Sequence, residues 1–445
     1  MSSEWPLVPV GEIAQLFDGP HATPAKTSSG PVFLGISSLR RGQLDLSNTE
    51  HLSETDFTKW TRRVTPQADD VVFSYETRIG EVAIIPDGLK CCLGRRMALL
   101  RPDRAKLLPK YLLYYFLSDE FQSLLLARTI HGSTVDRLPL KDFPTYPMRV
   151  PPLDVQRTIS SMLQVLDDRI ALLRETNATL EAIAQALFKS WFVDFDPVHA
   201  RARGEQPAGL APEVAALFPD SFEESELGMV PKGWGVQLIR DVVEGVYDGP
   251  HATPPESDVG PVFLGIKNLT GTALALSDVR HIADEDFIKW TKRVTPKAGD
   301  IVFSYEATLG FFALIPDEVK CCLGRRLALI RPMEIDGHGH FWFHQFVAAP
   351  FQRHLEKHTI QGATVNRIAL KEFPGYPVLN PSSELKQAFE VRAAAIWHKI
   401  HLNQKQAQTL ANLRDTLLPR LISGQLRLNC DVVYAHSTEG LSAND

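Results

Sequence analysis

The chain has 445 residues, of which 44% are hydrophobic and 22% are charged. At about 150 residues per domain, this length predicts two or three domains, each large enough to bury its own core. The composition is close to that of average globular proteins and excludes a mainly disordered, collagenous or disulfide-stapled chain. The 47 Lys and Arg against 53 Asp and Glu give a net charge of −6, which argues mildly against a large basic surface for nucleic acid.

The cysteines and the N-terminus indicate the compartment. Cys91 is followed by Cys92, Cys321 is followed by Cys322, and Cys430 stands alone. Neighbouring cysteines rarely bond each other, so we expect reduced thiols. No basic region precedes an apolar run at the N-terminus, and no segment of 18 apolar residues occurs. The sequence therefore predicts a cytoplasmic protein that does not enter a membrane.

An internal repeat is the most informative feature of the sequence. DGPHATP at 18–24 recurs at 248–254, and KCCLGRRMALLRP at 90–102 recurs as KCCLGRRLALIRP at 320–332, both at an offset of 230. Across 11–150 and 241–380, 67 of 140 aligned pairs are identical without a gap. Two copies at so long a period indicate a duplicated domain and exclude a solenoid.

Each copy predicts a mixed α and β domain. Short apolar runs bounded by Gly, Pro and Asp, such as PVFLGI, DVVFSYE, EVAIIPD and CLGRRMALLRP, predict strands. A helical stretch follows in each copy, at 109–126 and at 341–355.

The pattern changes after each copy to a three-four alternation, which is typical of a coiled-coil helix. The seam positions are Ile159, Leu163, Leu166, Ile170, Leu173, Asn177, Leu180, Ala184, Leu187 and Trp191, and then Phe389, Ala393, Ile396, Ile400, Asn403, Ala407 and Leu410. One Asn interrupts each seam, and we expect Asn177 and Asn403 to be equivalent and to pair between the helices, which would fix register and orientation. A seam that serves stability alone is the alternative.

The predicted fold class is α+β: tandem duplicated mixed α/β domains separated by two long antiparallel coiled-coil helices, with pseudo-two-fold symmetry. The predicted limits are 1–154 and 235–384 for the two domains, 155–196 and 385–428 for the helices, 197–234 for a Pro- and Gly-containing linker, and 429–445 for a tail.

Catalytic motifs are missing from the sequence. It contains no Walker loop, no GxGxxG after a strand, no HExxH and no GxSxG. PDEVK at 316–320 has the letters of a nuclease site, but the other copy has PDGLK, which indicates a turn. Asp69 with Asp70 and Asp167 with Asp168 are interpreted as surface and helix-face carboxylates, and the adjacent cysteines are poorly spaced for zinc. We therefore predict no catalytic residues and no metal site.

Residues that occur in both copies are suited to binding a ligand with two-fold related sites, such as duplex DNA or a protein dimer. Paired arginines are suited to contact guanine edges or phosphates. Lys and Arg beside a Trp are suited to contact the DNA backbone, and a His in a Gly-Pro turn could enter a DNA groove. The candidate DNA-binding residues are His21, Lys59, Arg63, Tyr75, Arg78, Arg95, Arg96, Thr134 and Arg137, and His251, Lys289, Arg293, Tyr305, Arg325, Arg326, Thr364 and Arg367. Each has an ordinary alternative as a solvated surface residue, a core residue or the cap of its own turn.

On these motifs, the sequence resembles the specificity (S) subunit of type I restriction-modification systems. The resemblance covers roughly 5–428 and rests on DGPHATP, on AGDIVFSYEATLG at 298–310, on GSTVDRLPLKDFPTYPMRVPPLDVQ, and on the helix endings LFKSWFVDFDP and LRDTLLPRLISG. Each repeat is similar to a target recognition domain, and the two helices are similar to the spacer regions of the family.

The resemblance implies a subunit without a catalytic site that recognises a bipartite DNA site. It implies two methyltransferase subunits as partners, bound at the spacer helices, and two restriction (motor-nuclease) subunits. S-adenosylmethionine would belong to the methyltransferase subunits, and ATP and Mg²⁺ to the motor subunits.

Because the two copies are nearly half identical, we expect two similar half-sites in inverted orientation. The half-sites should differ where the copies differ: Lys26 against Glu256, Arg40 and Arg41 against Thr270 and Gly271, Arg78 against Thr308, and Asp136 against Asn366. The alternative function is a bivalent adaptor or decoy that binds a protein dimer without methyltransferase partners.

Overall fold

The computed structural model describes residues 5–132, 135–333, 339–362 and 365–428. The chain divides into two compact units. The first unit runs to Ala171 and takes in the chain from Thr409 onward, and the second is Leu172–Gln408. Thr134, Thr364 and the predicted tail with Cys430 lie outside the described residues.

The first repeat domain, which precedes the first long helix, is built from short strands and three α-helices. Its strands are Leu7–Pro9, Ala14–Asp18, Thr27–Leu34, Leu39–Arg40, Gln43–Leu44, Glu50–His51, Val71–Ser74, Val82–Ile84, Cys91–Leu93, Met97–Pro102 and Pro147–Arg149. Its α-helices are Glu54–Trp60, Pro109–Leu117 and Asp119–Arg128, with 3-10 turns at Val10–Glu12, Ile36–Ser38 and Phe143–Thr145.

A four-stranded antiparallel sheet forms the centre of this domain. The strand order is Ala14–Asp18, Met97–Pro102, Val71–Ser74 and Val82–Ile84. Val71 and Phe73 face the cluster that contains the helices, whereas Val72 faces a smaller three-stranded sheet. Both faces of the central sheet are therefore buried, which explains why these strands are almost continuously apolar. Burying a side chain such as Phe73 contributes about 1.5–3 kcal/mol relative to leaving it exposed.

The second repeat domain, between Gly235 and Asn380, has the same topology. Its strands are Gly235–Leu238, Val243–Asp248, Ser257–Leu264, Arg280–His281, Ile301–Ser304, Phe312–Leu314, Cys321–Leu323, Leu327–Pro332, Thr359–Ile360, Arg367–Ile368 and Pro377–Asn380. Its α-helices are Ile239–Val242, Asp284–Trp290, Gly339–Val347 and Ala349–Lys357, with 3-10 turns at Ile266–Asn268 and Phe373–Gly375. The four-stranded sheet repeats the order of the first at an offset of 230.

Two details of the domains differ from the sequence-based expectation. The predicted single helical stretch is two helices, because Ser118 in the first domain and Ala348 in the second are extended and begin a new helix. The run CLGRRMALLRP is two strands separated by a turn at Gly94–Arg96, where Arg96 has a φ of 72°. A left-handed residue reverses the chain locally, which periodicity alone does not reveal.

Two 40-residue helices follow the domains, Leu153–Phe192 and Ser383–Ile422. In the second unit, Asn177 contacts Asn403 and the ring of Phe188 lies 5.4 Å from that of Phe389. Numbers rise along one helix as they fall along the other, so the pairing in this unit is antiparallel. In the first unit, Leu163 and Leu421 share one core. Duplicated mixed domains, each followed by a long pairing helix, confirm the predicted fold class.

The expectation that Asn177 and Asn403 are equivalent positions was wrong. The helices begin at Leu153 and Ser383 and end at Phe192 and Ile422, so the offset of 230 continues through both helices. In that register Asn403 matches Leu173, and Asn177 matches Ala407. The two asparagines contact each other, but they occupy different positions in the duplicated helix.

Segment 197–234, predicted as a linker, is folded. It contains the helices Asp196–Ala202 and Pro212–Ala215 and a hairpin of Phe222–Ser225 with Gly228–Pro231. Phe218, Val230 and Trp234 are buried in the core of the second unit. Its Pro and Gly content suggested a linker, but its large apolar residues pack it against the domain that follows. Within the described part of the chain, no helix is long and apolar enough to span a membrane.

Candidate nucleic-acid interface

Most of the predicted binding residues lie at one end of the four-stranded sheet. In the first domain, Ala98 pairs with Asp18, Met97 with Ser74, and Phe73 with Val82. Two strands therefore end, and two begin, at the same edge. The loops that carry His21, Tyr75, Arg78, Arg95 and Arg96 all start or finish here, and we call this edge with its loops the sheet end.

The second domain has an equivalent sheet end. There Ala328 pairs with Asp248, Leu327 with Ser304, and Phe303 with Phe312.

In the first domain, close backbone packing shapes the turn that follows Asp18: a Cβ on Gly19 would lie 2.5 Å from the carbonyl oxygen of Met97. Glycine is therefore required after Asp18, and the following Pro-His turn is held against the neighbouring strand.

An aspartate organises each sheet end. In the second domain, the hydroxyl of Tyr305 donates to Oδ1 of Asp248 at 2.8 Å, and Nε2 of His251 lies 2.7 Å from Oδ2. Nη1 of Arg293 lies 3.5 Å from the same carboxylate and donates to the carbonyl oxygen of Asp248 at 3.3 Å. One carboxylate thus holds a tyrosine, a histidine and an arginine in fixed positions.

The first domain repeats this cluster around Asp18. Nε2 of His21 lies 2.9 Å from Oδ2 of Asp18, and Nη1 of Arg63 lies 3.5 Å from it. Arg63 also donates to the carbonyl oxygen of Gly19 at 3.2 Å. Asp18 and Asp248 were not among the predicted binding residues, although each begins a copy of the repeated DGPHATP motif and could have been found from that repetition.

The tyrosines are buried, with exposed fractions of 6% for Tyr75 and 5% for Tyr305. Burial, with the nearby aspartate, raises the pKa of each phenol well above its usual value of 10.0, so both remain protonated donors. Their burial argues against the predicted base contact. We assign them a role in holding the aspartate.

The arginine pairs are divided between two environments. Nε of Arg96 lies 3.0 Å from Oε2 of Glu76, and its Nη1 donates to Oγ1 of Thr77 at 3.1 Å. Arg326 lies 3.7 Å from Glu306 in the second domain. Arg95 and Arg325, by contrast, are exposed. One arginine of each pair is held by protein and the other faces solvent.

Arg137 and Arg367 reach the sheet end through backbone pairing. Arg137 forms an antiparallel bridge with Glu76, and Arg367 forms the same bridge with Glu306. The amide of Leu138 donates to the carbonyl oxygen of Tyr75 at 2.8 Å. These bonds attach the glycine-led loop to the sheet end and leave both arginine side chains exposed.

Lys59 contributes to a basic pocket beside the turn. A pocket of about 360 Å³ is lined by residues that include His21, Lys59, Trp60, Arg62 and Arg63. Lys59 lies 3.6 Å from Asp56 and remains mostly exposed, and Lys289 is exposed in the second domain. Trp290 is buried and Trp60 is half-buried, so the indoles pack against the domain and the cations face outward.

The chemistry of the sheet ends is that of binding. Carboxylates hold guanidinium and imidazole groups whose outer faces are exposed, about 60% for both Arg63 and Arg293. Within the described ranges, no group of three or more His, Cys, Asp or Glu is arranged to hold a metal ion. Burial raises the pKa of Cys91, Cys92, Cys321 and Cys322 to about 12, so these thiols are protonated and poor nucleophiles.

Comparison with known proteins shows which family the chain resembles. Residues 3–182 match the family model described as the type I restriction modification DNA specificity domain. The HindI specificity subunit of Haemophilus influenzae is 25% identical over 394 residues, which are 75% of this chain and 81% of that protein. The chain is similar to type I specificity subunits over most of its length, and residues 3–182 carry the match to the family model.

A second relative is similar over most of its length, and a solved structure shares the fold. The chain is 24% identical over 404 residues to the MjaIX specificity subunit of Methanocaldococcus jannaschii, with 86% of this chain and 85% of that protein covered. The crystal structure of a type I restriction-modification system S subunit from M. genitalium superposes with a TM-score of 0.56 at 13% identity, covering 94% of this chain and 96% of that chain. That likeness shows a shared fold.

Proposed function

We propose that the chain is a specificity subunit that recognises a bipartite, nearly palindromic DNA sequence through its two sheet ends, without catalysing a reaction itself. The observation that carries the proposal is the repetition of one cluster in both domains: a histidine and an arginine contact the carboxylate of Asp18 and of Asp248, and a buried tyrosine lies beside each cluster. The same side chains held in matching ion pairs favour the same bases.

Duplex DNA suits a duplicated reader because its strands are antiparallel. The pseudo-two-fold arrangement expected from the sequence would present the two sheet ends to half-sites in inverted order. Exposed Arg95 and Arg325 offer planar forks for guanine edges, and Arg63, Lys59 and their counterparts suit phosphates. With a net charge of −6, the chain alone should bind DNA weakly, and partner subunits would supply much of the phosphate neutralisation.

We further propose that the long helices bind two methyltransferase subunits, with two motor-nuclease subunits joining for restriction. The helices expose apolar side chains at matching steps of the duplication: Leu172 and Leu402 are 51% and 46% exposed, and Ile183 and Leu413 are 50% and 45% exposed. Exposed apolar residues in matched pairs suit two copies of one protein partner. S-adenosylmethionine would then be bound by the methyltransferase subunits, and ATP and Mg²⁺ by the motor subunits.

Co-expression of a tagged chain with the genes beside its own tests the proposal. A tagged chain should co-purify with two methyltransferase subunits per chain, and the complex should retain one DNA sequence from a random pool. Leu172→Glu with Leu402→Glu should release the methyltransferase, whereas Arg174→Gln, on an exposed part of the helix that faces away from Leu172, should not. A chain that retains a dimeric protein but neither methyltransferase nor DNA would identify an adaptor or decoy instead.

A further inference from the structure

The two sheet ends differ in a small group of neighbouring residues. The residues around this group are the same in both copies. In the first domain they include Asp18, His21, Arg63, Arg95, Arg96 and Arg137. We call the differing group the variable patch. It consists of Thr77, Arg78, Glu81, His131 and Asp136 in the first domain and of Ala307, Thr308, Phe311, Gln361 and Asn366 in the second.

In the first domain, the variable patch contains two pairs of ionisable side chains. Nη2 of Arg78 donates to Oε1 of Glu81 at 2.5 Å, and Nδ1 of His131 lies 3.2 Å from Oδ1 of Asp136. The amide of Thr77 donates to the carbonyl oxygen of Asp136 at 3.3 Å and brings the two pairs together. Both pairs are therefore parts of one surface.

In the second domain, the same backbone carries uncharged side chains. The amide of Ala307 donates to the carbonyl oxygen of Asn366 at 3.3 Å, which reproduces the bond of the first domain. Thr308 and Phe311 replace the arginine and its glutamate, and Gln361 and Asn366 replace the histidine and its aspartate. Each pair has changed as a pair, so the chemistry presented to a ligand differs while the fold does not.

Another difference between the copies is compensated within its own domain. Nζ of Lys26 lies 2.5 Å from Oε1 of Glu50, and Nε of Arg280 lies 3.3 Å from Oε2 of Glu256. At an offset of 230, these are the same two positions with the charges exchanged. The exchange keeps an ion pair at these positions in both domains, which explains why the two residues differ together. In the variable patch the pairs of the first domain are replaced by uncharged residues in the second, so preserving an ion pair does not explain that difference.

We propose that the variable patch determines the bases at which the two DNA half-sites differ, while the shared residues determine the bases that they have in common. The proposal rests on the proposed DNA recognition. Arg78 offers the donors that match the acceptors O6 and N7 of guanine, whereas Thr308 offers a hydroxyl and a methyl group. The two half-sites should therefore share a core of bases and differ at one or two positions.

An exchange of the patch between the copies tests this. The first-to-second variant carries Thr77→Ala, Arg78→Thr, Glu81→Phe, His131→Gln and Asp136→Asn, and the second-to-first variant carries the five reverse changes. Each is co-expressed with the methyltransferase, and the methylated sequence is determined by single-molecule sequencing of the host genome. The first variant should methylate a perfect inverted repeat of the second half-site, and the reverse variant a perfect inverted repeat of the first.

A matched control exchanges the compensated pair: Lys26→Glu with Glu50→Arg should leave the methylated sequence unchanged. Three results would overturn the proposal: an unchanged target in the patch variants, a change at the shared bases, or loss of methylation by variants that still bind the methyltransferase. A wild-type target that is already a perfect palindrome would also overturn it, yet leave the proposed function intact. Two unrelated wild-type half-sites would instead contradict the near-palindromic recognition on which it rests.

Discussion

Nδ2 of Asn403 donates to Oδ1 of Asn177 at 2.8 Å, between two positions that the duplication does not relate. Asn177 in turn donates to the carbonyl oxygen of Ile400 at 3.1 Å. Asn403 is 2% exposed, so its amide depends on this partner. A single polar pair in an otherwise apolar seam disfavours every other register of the two helices.

The asparagine pair should show strong coupling. Asn403→Leu leaves the side-chain oxygen of Asn177 without its donor, and we expect a loss of about 1–2 kcal/mol in the free energy of unfolding. The double variant Asn177→Leu with Asn403→Leu should recover most of it, because two leucines fit an apolar seam. Chemical denaturation measures the coupling, with Gln406→Leu on the exposed face as control. Additive losses would show that the pair does not interact energetically.

A buried ion pair that occurs in both domains should matter far more than a surface pair beside it. Arg101 donates through Nε and Nη2 to the carboxylate of Asp70, at 2.8 and 2.7 Å, and Asp70 is 2% exposed. Arg101→Met should cost about 3 kcal/mol of stability, because it leaves a buried carboxylate unpaired. Arg104→Met breaks the exposed pair with Asp69 and should cost about 1 kcal/mol or less. Equal losses in thermal unfolding would contradict this account.

The sequence predicts the fold class and the location of the site because both depend on strong patterns. An offset of 230 without a gap reveals the duplication, and repeated polar residues mark the sheet ends. Asp18 was missed because its role appears only when strand pairing brings Tyr75 and Arg63 to its carboxylate. The helix register was misjudged for a related reason: Asn177 and Asn403 look alike in sequence, and only the positions of their helices show that they are not equivalent.

Phosphate contact by Arg63 and Arg293 should appear in the salt dependence of binding. In the assembled complex, Arg63→Gln should weaken DNA binding several-fold and reduce the slope of log affinity against log salt by about 1. Arg293→Gln should do the same, since its contacts are equivalent. Arg203→Gln is the control, because Arg203 is paired with Glu205 in segment 197–234. An unchanged slope in both Arg63→Gln and Arg293→Gln would exclude the predicted phosphate contact.

Burial of His344 should make the second unit sensitive to acid. Burial lowers the pKa of His344 to about 3 from 6.5, and Nε1 of Trp397 donates to its Nε2 at 3.0 Å. Between these values the unfolded chain holds one more proton than the folded chain, so stability falls as pH falls from about 6.5 toward 3. This residue should lower the free energy of unfolding by about 2 kcal/mol between pH 7 and pH 5.

Two variants isolate that effect. His344→Gln should reduce the loss of stability between pH 7 and pH 5 by about 2 kcal/mol, even if it lowers stability at both values. Gln406→Leu, which replaces an exposed side chain that does not titrate, should keep the wild-type pH dependence. If denaturant unfolding at the two pH values gives the same difference for His344→Gln as for the wild type, His344 is not the group that titrates.

The most direct test of DNA recognition by two similar sheet ends is the methylated sequence produced by the wild-type complex. The chain, co-expressed with its methyltransferase in a host without other methylation systems, should mark one bipartite sequence whose half-sites are inverted and agree at most positions. Two half-sites with no bases in common, or no methylation by a complex that assembles, would contradict the account.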